Sequence, residues 1–223
     1  GLGVGMWGTL IFLFVDRFLG LGQHFALVYV ISYGVSTLSL VGWSKLANRR
    51  GKKQCWLVAS LLIIIGLLST TFLLPGQGSY IPLLLCMVIT YSGFAALSLL
   101  APSLLSEIAD FGAWKFGTDR AGTYFSLFSL VSKTNVAFAG ALALGLASFY
   151  GFDATSEHQS SEAVAGLHLA MAWLPVPIIL LSIVLVTAIP IDSRRHAIIR
   201  RHINNKKQRM DHSEIDNPSV PYD

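Results

Sequence analysis

Lys133 is the residue whose chemistry most needs an explanation, because it lies inside an apolar run. It follows Arg120 by about thirteen residues, or roughly 20 Å along a helix at 1.5 Å per residue. In a hydrocarbon core about 30 Å thick, this position is near the middle, where a Lys costs about 2.5–3.5 kcal/mol. There it would face a protein interior or an aqueous cavity and bind a polar solute or a carboxylate. The alternative is a Lys at the end of its helix.

Serine residues recur on the predicted helical face of Lys133. Ser126 and Ser129 are spaced from each other and from Lys133 by three and four residues, which places them on one side of a helix. The apolar runs contain no Asp or Glu. A counter-ion for Lys133 would therefore come from Glu107 or Asp110 at the membrane edge, or from a part of the protein that precedes this sequence.

A second polar stripe occupies an earlier apolar run, with spacings of mostly three or four residues: Tyr29, Ser32, Tyr33, Ser36 and Trp43. It either lines a path for a polar solute, with aromatic rings stacking on sugar rings, or joins helices through hydrogen bonds. Trp43 is predicted to anchor its helix at the membrane interface. In a later run, Tyr91, Ser92, Ser98 and Pro102 are compatible with an interrupted helix of the kind that forms solute sites.

Enzyme chemistry finds no support in the motifs. The sequence has no GxSxG elbow, P-loop or GxGxxG. Glu157 and His158 share a loop without metal-ligand spacing, and Cys55 and Cys86 lack a CxxC partner. A membrane-embedded enzyme would need paired His, Asp or Glu within its helices, so no catalytic residue and no resident cofactor is predicted.

The elements that must position these residues are six apolar runs. Hydrophobic residues make up 53% of the sequence and charged residues 13%, whereas soluble domains carry roughly 25% charged residues. Runs of about 20 residues cross a bilayer as helices, because lipid requires backbone groups to pair internally. We therefore predict an all-α polytopic membrane protein with helices over about 1–15, 25–43, 55–74, 80–105, 122–150 and 164–189.

Positive charge marks one side of the predicted membrane. Of the 16 Lys and Arg residues, all except Arg17 and Lys133 lie in the connectors 45–53 and 106–121 or in the tail. The positive-inside rule places these parts, and hence the carboxyl terminus, in the cytoplasm. The net charge of +4 therefore reflects topology, and binding to nucleic acid is not expected.

The two ends of the sequence differ in character. The first run, 1–15, is shorter than a full span and begins at Gly1, so a preceding amino-terminal part is expected. Residues 1–190 are interpreted as the transmembrane part. The tail, 191–223, is predicted to be basic and partly disordered. Its basic start either lies on anionic lipid or only carries the topological charge.

One long segment resembles a known transporter family. The segment PSLLSEIADFGAWKFGTDRAGTYFSLFSLVSK is similar to the glycoside–pentoside–hexuronide:cation symporters, the melibiose-carrier branch of the major facilitator superfamily. The loop WSKLANRRGKK resembles the family's connection between helices eight and nine. The shared pattern is an acidic pair, an aromatic residue, a basic residue, Gly-x-Tyr and an intramembrane Lys. In this sequence these are Glu107, Asp110, Phe111, Lys115, Gly122, Tyr124 and Lys133.

The resemblance covers nearly the whole chain and implies helices seven to twelve of a twelve-helix carrier that couples sugar uptake to Na⁺ or H⁺. The family's cation-binding carboxylates lie mainly in the amino-terminal half, so no metal ligands are expected here. Ser98 aligns where characterised melibiose carriers have a Trp, so melibiose itself is not implied. The sugar-contacting positions of helix eleven correspond to Phe128, Ser129, Ser132 and Lys133.

The leading hypothesis is therefore a cation-coupled sugar symporter of the inner (plasma) membrane. Its expected partners are a sugar or glycoside, the lipid bilayer and the amino-terminal half. The alternatives are a carrier of the same fold for a lipid or drug-like amphiphile, and a non-transporting scaffold. The predicted substrate-binding residues are Lys133, Ser129, Ser132, Phe128, Ser98, Tyr29 and Tyr33, and the predicted cytoplasmic gate comprises Glu107, Asp110, Lys115, Arg120 and Tyr124.

Overall fold

A computed structural model describes residues 1–118, 120–154, 156 and 159–188 of the chain. Every regular element in this part is helical. π-helical turns at Phe14–Phe18 and Leu169–Trp173 extend α1 and join α6 to α7, and a 3₁₀ turn at Gln77–Ser79 precedes α4. The helices are α1 (Leu2–Leu13), α2 (Gly22–Arg50), α3 (Lys52–Thr70), α4 (Tyr80–Phe116), α5 (Ala121–Phe149), α6 (Ser161–His168) and α7 (Pro175–Ala188).

A helix forms the main part of each of the six predicted apolar runs, which confirms the all-α membrane fold. Five helical segments of the described part are long and apolar enough to cross a bilayer, one of which is Ser161–Ala188 with its π-turn. The helix α1 has 12 residues, so the count of six spans stays a prediction. The predicted tail, 191–223, lies outside the described residues.

Two helices continue beyond their apolar runs. The helix α2 ends at Arg50 and α4 at Phe116, because the charged stretches that follow their apolar parts contain good helix formers such as Leu, Ala and Lys. Both helices stop at a glycine with a positive φ, Gly51 at 88° and Gly117 at 70°, a conformation that other residues rarely adopt. The helix α4 also passes through Pro102 without a break, so the predicted interruption there is wrong.

The described residues divide into two units, one of 1–101 with 128–188 and one of 102–127. In the first unit, α1 and its π-turn lie in the core, where Met6, Leu10 and Phe14 are fully buried. This helix packs chiefly against α7 and the π-turn at Leu169–Trp173, while α3 packs against α2 and α7.

Small residues let neighbouring helices approach α1 closely. A Cβ atom placed on Gly5 would lie 2.8 Å from the Cβ of Ala139 on α5. A Cβ on Gly3 would lie 3.1 Å from the carbonyl oxygen of Pro175 on α7. Membrane helices associate through such small-residue contacts because lipid provides no hydrophobic driving force between them. Both glycines are therefore required by packing.

A second, smaller cluster joins α2, α3 and α4 in the first unit. It contains Trp43, Cys55, Ala59, Ala96 and Leu100. The Trp43 side chain is only 7% exposed, so its predicted role as an interfacial anchor is wrong. Cys55 and Cys86 are both buried, and neither forms a disulfide.

Candidate solute-binding surface

Lys133 lies close to the middle of α5, a helix of 29 residues from Ala121 to Phe149. Its side chain is exposed, whereas Ala139, Ala143 and Ala147 form the buried side of the helix. Within the described residues, no ion pair holds its ammonium group. A central Lys facing acyl chains is costly, so in a bilayer this side of α5 is expected to face protein or water.

The other predicted sugar-contacting residues lie on the same helix. Ser129 is exposed and precedes Lys133 by one turn, so the two side chains are neighbours on the helix surface. Phe128 and Ser132 are half-buried. The helix thus offers an ammonium group and a hydroxyl side by side, although their contact with a solute stays a prediction.

Four aromatic residues of α1, α2 and α4 form what we call the aromatic cluster: Trp7, Tyr29, Tyr33 and Tyr91. The rings of Tyr29 and Tyr33 are nearly parallel, with centroids 6.2 Å apart and planes 7° apart. The ring of Tyr91 is edge-on to both, at 5.6 and 6.5 Å. Trp7 packs edge-on against Tyr91 at 5.4 Å. Sequence reasoning placed Tyr29 and Tyr33 on one face but did not find Tyr91 and Trp7 as their supports.

The remaining residues of the α2 stripe are buried, and Trp43 forms a hydrogen bond with another helix. Ser32 and Ser36 are buried, at 0% and 3% exposure. The indole N–H of Trp43 donates to Ser92 Oγ at 3.2 Å, and Ser92 donates to Ser39 Oγ at 3.2 Å. The stripe therefore divides: its serines and Trp43 face neighbouring helices, while Tyr29 and Tyr33 are 40% and 55% exposed.

The Ser92 hydroxyl is expected to stabilise the contact between α2 and α4. Replacing Ser92 by alanine leaves the buried Trp43 N–H without its acceptor, which should lower the free energy of unfolding by about 1–3 kcal/mol. Thermal unfolding of the purified full-length protein in detergent measures this loss. Ser126→Ala is the matched control, because the exposed Ser126 hydroxyl bonds only within its own helix, to the Thr123 carbonyl. Equal unfolding temperatures for the two variants would contradict the assignment.

The helix α1 contacts both groups of candidate residues. Trp7 of α1 belongs to the aromatic cluster and packs against Tyr91. Gly5 of α1 packs against Ala139 of α5, the helix that carries Lys133. Ser98, also predicted to bind substrate, is exposed on α4 and donates to the carbonyl of Ala95 at 2.8 Å. The structure thus supports Tyr29 and Tyr33 with residues from two further helices, and it gives Ser98 a bond within its own helix.

The predicted gate residues lie in the second unit. Glu107 is only 5% exposed and Asp110 is half-buried, whereas Lys115 and Arg120 are exposed. The Lys115 ammonium lies 5.5 Å from the centroid of the Phe116 ring. Tyr124 is half-buried and packs on α4, since a Cβ at Gly112 would lie 3.0 Å from its hydroxyl oxygen. Gating by these residues stays a prediction.

Known proteins are similar in sequence to this chain over most of its length. The profile of the family described as MFS/sugar transport protein matches residues 1–193. The relatives include an uncharacterised symporter of Bacillus subtilis, 23% identical over 83% of this chain. A glucuronide carrier protein homolog of Escherichia coli is 25% identical over 72%, and an isoprimeverose transporter of Lactiplantibacillus pentosus is 28% identical over 64%. The chain spans 43%, 34% and 29% of these relatives, respectively.

The matched region, 1–193, includes every helix of the described part. The relatives are named as a symporter and as carriers of sugar compounds, which agrees with the resemblance to the glycoside–pentoside–hexuronide:cation symporters. We conclude that this multi-pass helical membrane chain belongs to the MFS/sugar transport protein family, within the major facilitator superfamily.

Proposed function

We propose that this chain is the carboxyl-terminal half of a carrier that moves a sugar or glycoside across the inner membrane together with Na⁺ or H⁺. The observation that supports this most is the exposed Lys133 near the middle of α5. A carrier with a solute site at the bilayer midplane gives such a residue a wet, protein-lined setting. Neither an inert scaffold nor a helix facing lipid does so.

In the proposed mechanism, Lys133 and Ser129 bind solute hydroxyl or carboxylate groups by hydrogen bonds. Hydrogen bonds from an ammonium group are roughly twice as strong as neutral ones. When the coupling cation is absent, Lys133 neutralises a carboxylate of the amino-terminal half, where the cation ligands are expected. The two halves rock about this site, and the solute is released chemically unchanged, so the protein is not an enzyme.

The charged residues of the second unit are proposed to form the cytoplasmic gate. Glu107 and Asp110 lie in the last turns of α4, and Arg120 directly precedes α5. Acidic and basic groups at helix ends can exchange ion pairs as the two halves rock. The basic connector around Arg49 and Arg50 and the tail then face the cytoplasm, as the positive-inside rule requires.

Coupled transport is tested with the full-length protein in sealed vesicles. A Na⁺ or H⁺ gradient that moves one positive charge with each solute supplies about 2.3 kcal/mol per 100 mV. Since a factor of ten is worth about 1.4 kcal/mol, labelled methyl glycosides should accumulate on the order of 50-fold at 100 mV. Uptake is followed with and without each gradient.

The same assay separates the competing functions. If neither gradient changes the uptake of a glycoside that the protein does transport, the coupling proposal is wrong. If lipids or drug-like amphiphiles are transported and free sugars do not compete, the solute class is wrong.

A further inference from the structure

The aromatic cluster presents two exposed rings of α2, which pack against rings from other helices. The near-parallel rings of Tyr29 and Tyr33 are about half exposed. Tyr91 stands edge-on to both, with interplanar angles of 85° and 78°, and is half-buried. Trp7 is 1% exposed and packs behind Tyr91. The ring of Tyr91 thus contacts both exposed rings, and Trp7 packs against Tyr91 from the buried side.

The depth of the cluster in the fold argues against contact with lipid. Tyr33 lies near the middle of α2, which spans Gly22–Arg50. Tyr91 lies within the long apolar part of α4. The Tyr29 hydroxyl has a partner, because it forms a hydrogen bond with the Tyr91 side chain. Tyrosine is enriched at membrane interfaces, and a phenol hydroxyl that faces hydrocarbon without a partner loses hydrogen bonding to water. The more exposed ring, Tyr33, is therefore expected to face an aqueous or protein-lined space.

Of the four buried polar side-chain atoms without a partner among the described residues, two belong to Trp7 and Ser32. They are the indole nitrogen of Trp7 and the hydroxyl oxygen of Ser32. Ser32 lies between Tyr29 and Tyr33 along α2. Buried polar atoms in folded proteins nearly always have a hydrogen-bond partner. Both atoms are therefore expected to meet water or a polar group that the described residues do not supply.

The chemistry of a sugar ring fits this surface. A pyranose ring with equatorial hydroxyls has two faces of C–H groups and a rim of hydroxyls. Aromatic rings carry negative charge on their faces and attract the slightly positive hydrogens of C–H groups. An open-chain polyol has the same hydroxyls but no flat C–H face, so this surface should distinguish a ring from a chain.

We propose that Tyr29 and Tyr33 form a platform that binds the C–H face of a pyranose ring, and that Tyr91 is a positioning residue that holds both rings in orientation. This inference rests on the proposed sugar transport and assigns part of its specificity to α2. It adds a ring-binding surface to the polar contacts of Lys133 and Ser129 on α5. The platform selects cyclic sugars over alditols, whereas the polar contacts recognise hydroxyl or carboxylate groups on either.

The platform is tested by the binding of methyl β-D-glucopyranoside and methyl β-D-xylopyranoside to the purified full-length protein, with xylitol as the open-chain probe. Tyr29→Leu and Tyr33→Leu should each weaken glycoside binding by about tenfold, while replacement by Phe keeps the ring and changes binding less than about twofold. Leu38→Ala is the matched control, because Leu38 is 77% exposed on the same helix. Xylitol should bind weakly to the wild type and to every variant alike.

Tyr91 is tested with a pair of variants. Tyr91→Leu should weaken glycoside binding to a similar extent. Tyr91→Phe loses the hydrogen bond to Tyr29 but keeps the edge-on ring contacts with Tyr29 and Tyr33, so it should restore most of the binding. Thermal unfolding of each variant separates this effect from loss of the fold. Binding that follows protein stability and not the presence of the ring would overturn the positioning role.

The outcomes separate the platform from transport itself. Gradient-driven uptake of glycosides that is unchanged in Tyr29→Leu and Tyr33→Leu would overturn the platform alone. Equal binding of xylitol and the glycosides by the wild type would also overturn it. Absence of any glycoside uptake by the wild type would overturn both the proposed function and the platform.

Discussion

Replacing Lys133 by alanine is expected to slow glycoside uptake by the full-length protein by about 10- to 100-fold. The variant loses hydrogen bonds from a charged donor, which contribute about 1.5–3 kcal/mol, and 1.4 kcal/mol corresponds to a factor of ten. Membrane insertion should persist, because Ala139, Ala143 and Ala147 still form the buried side of α5. The initial rate of uptake in vesicles, divided by the amount of inserted protein, measures the effect.

A variant on the same helix separates charge from general disturbance of α5. Leu130 is 63% exposed, and Leu130→Ala removes a comparable volume without removing a charge. The uptake by Leu130→Ala should equal that of the wild type. Lys133→Arg keeps the positive charge but arranges its hydrogen-bond donors differently, so this variant should retain part of the activity. Normal uptake by Lys133→Ala would remove this residue from the mechanism.

Replacing Gly5 by valine is expected to lower the free energy of unfolding by about 1–3 kcal/mol, the usual cost of overpacking. The new Cβ would lie 2.8 Å from the Cβ of Ala139, too close for two methyl-sized groups. Adding Ala139→Gly to the same protein removes the opposing Cβ and should restore part of the stability. Thermal unfolding of the full-length protein in detergent reports both changes.

The control for this pair is Gly8→Val on the same helix. It makes the same change in helix propensity, but nothing lies within 4 Å of a Cβ at Gly8. Gly8→Val should therefore unfold at a higher temperature than Gly5→Val. If both variants lose equal stability, or if Ala139→Gly gives no recovery, the close approach of α1 and α5 is not what Gly5 provides.

The helices could be predicted from the sequence because bilayer thickness imposes long apolar runs. The ends of the helices could not be predicted as well. Hydropathy falls at the end of the apolar run, but the backbone stays helical until a residue that disfavours the helix ends it. In α2 the apolar run ends near Trp43, but the helix continues to Arg50 and stops at Gly51. Helix-stopping glycines therefore locate these ends better than hydropathy does.

The candidate site was predictable only where a residue type is unusual for its surroundings. Lys133 is a charge inside an apolar run, so its depth follows from helix rise alone. Tyr91 and Trp7 are ordinary in composition, and their contacts with Tyr29 and Tyr33 depend on how three helices pack. The sequence analysis named Tyr91 for a different reason, an interrupted helix, and a tryptophan far from both ends of an apolar run is the signal that could have identified Trp7.

Both native thiols are shielded in this fold: Cys55 is 1% and Cys86 is 6% exposed. Water-soluble maleimide and nitroxide reagents should therefore react far faster with an engineered surface cysteine than with either native one. Spin labels or fluorophores can then be attached at chosen positions while the native cysteines are kept. Distances between pairs of such labels would then test the proposed rocking of the two halves without altering the packing of the native cysteines.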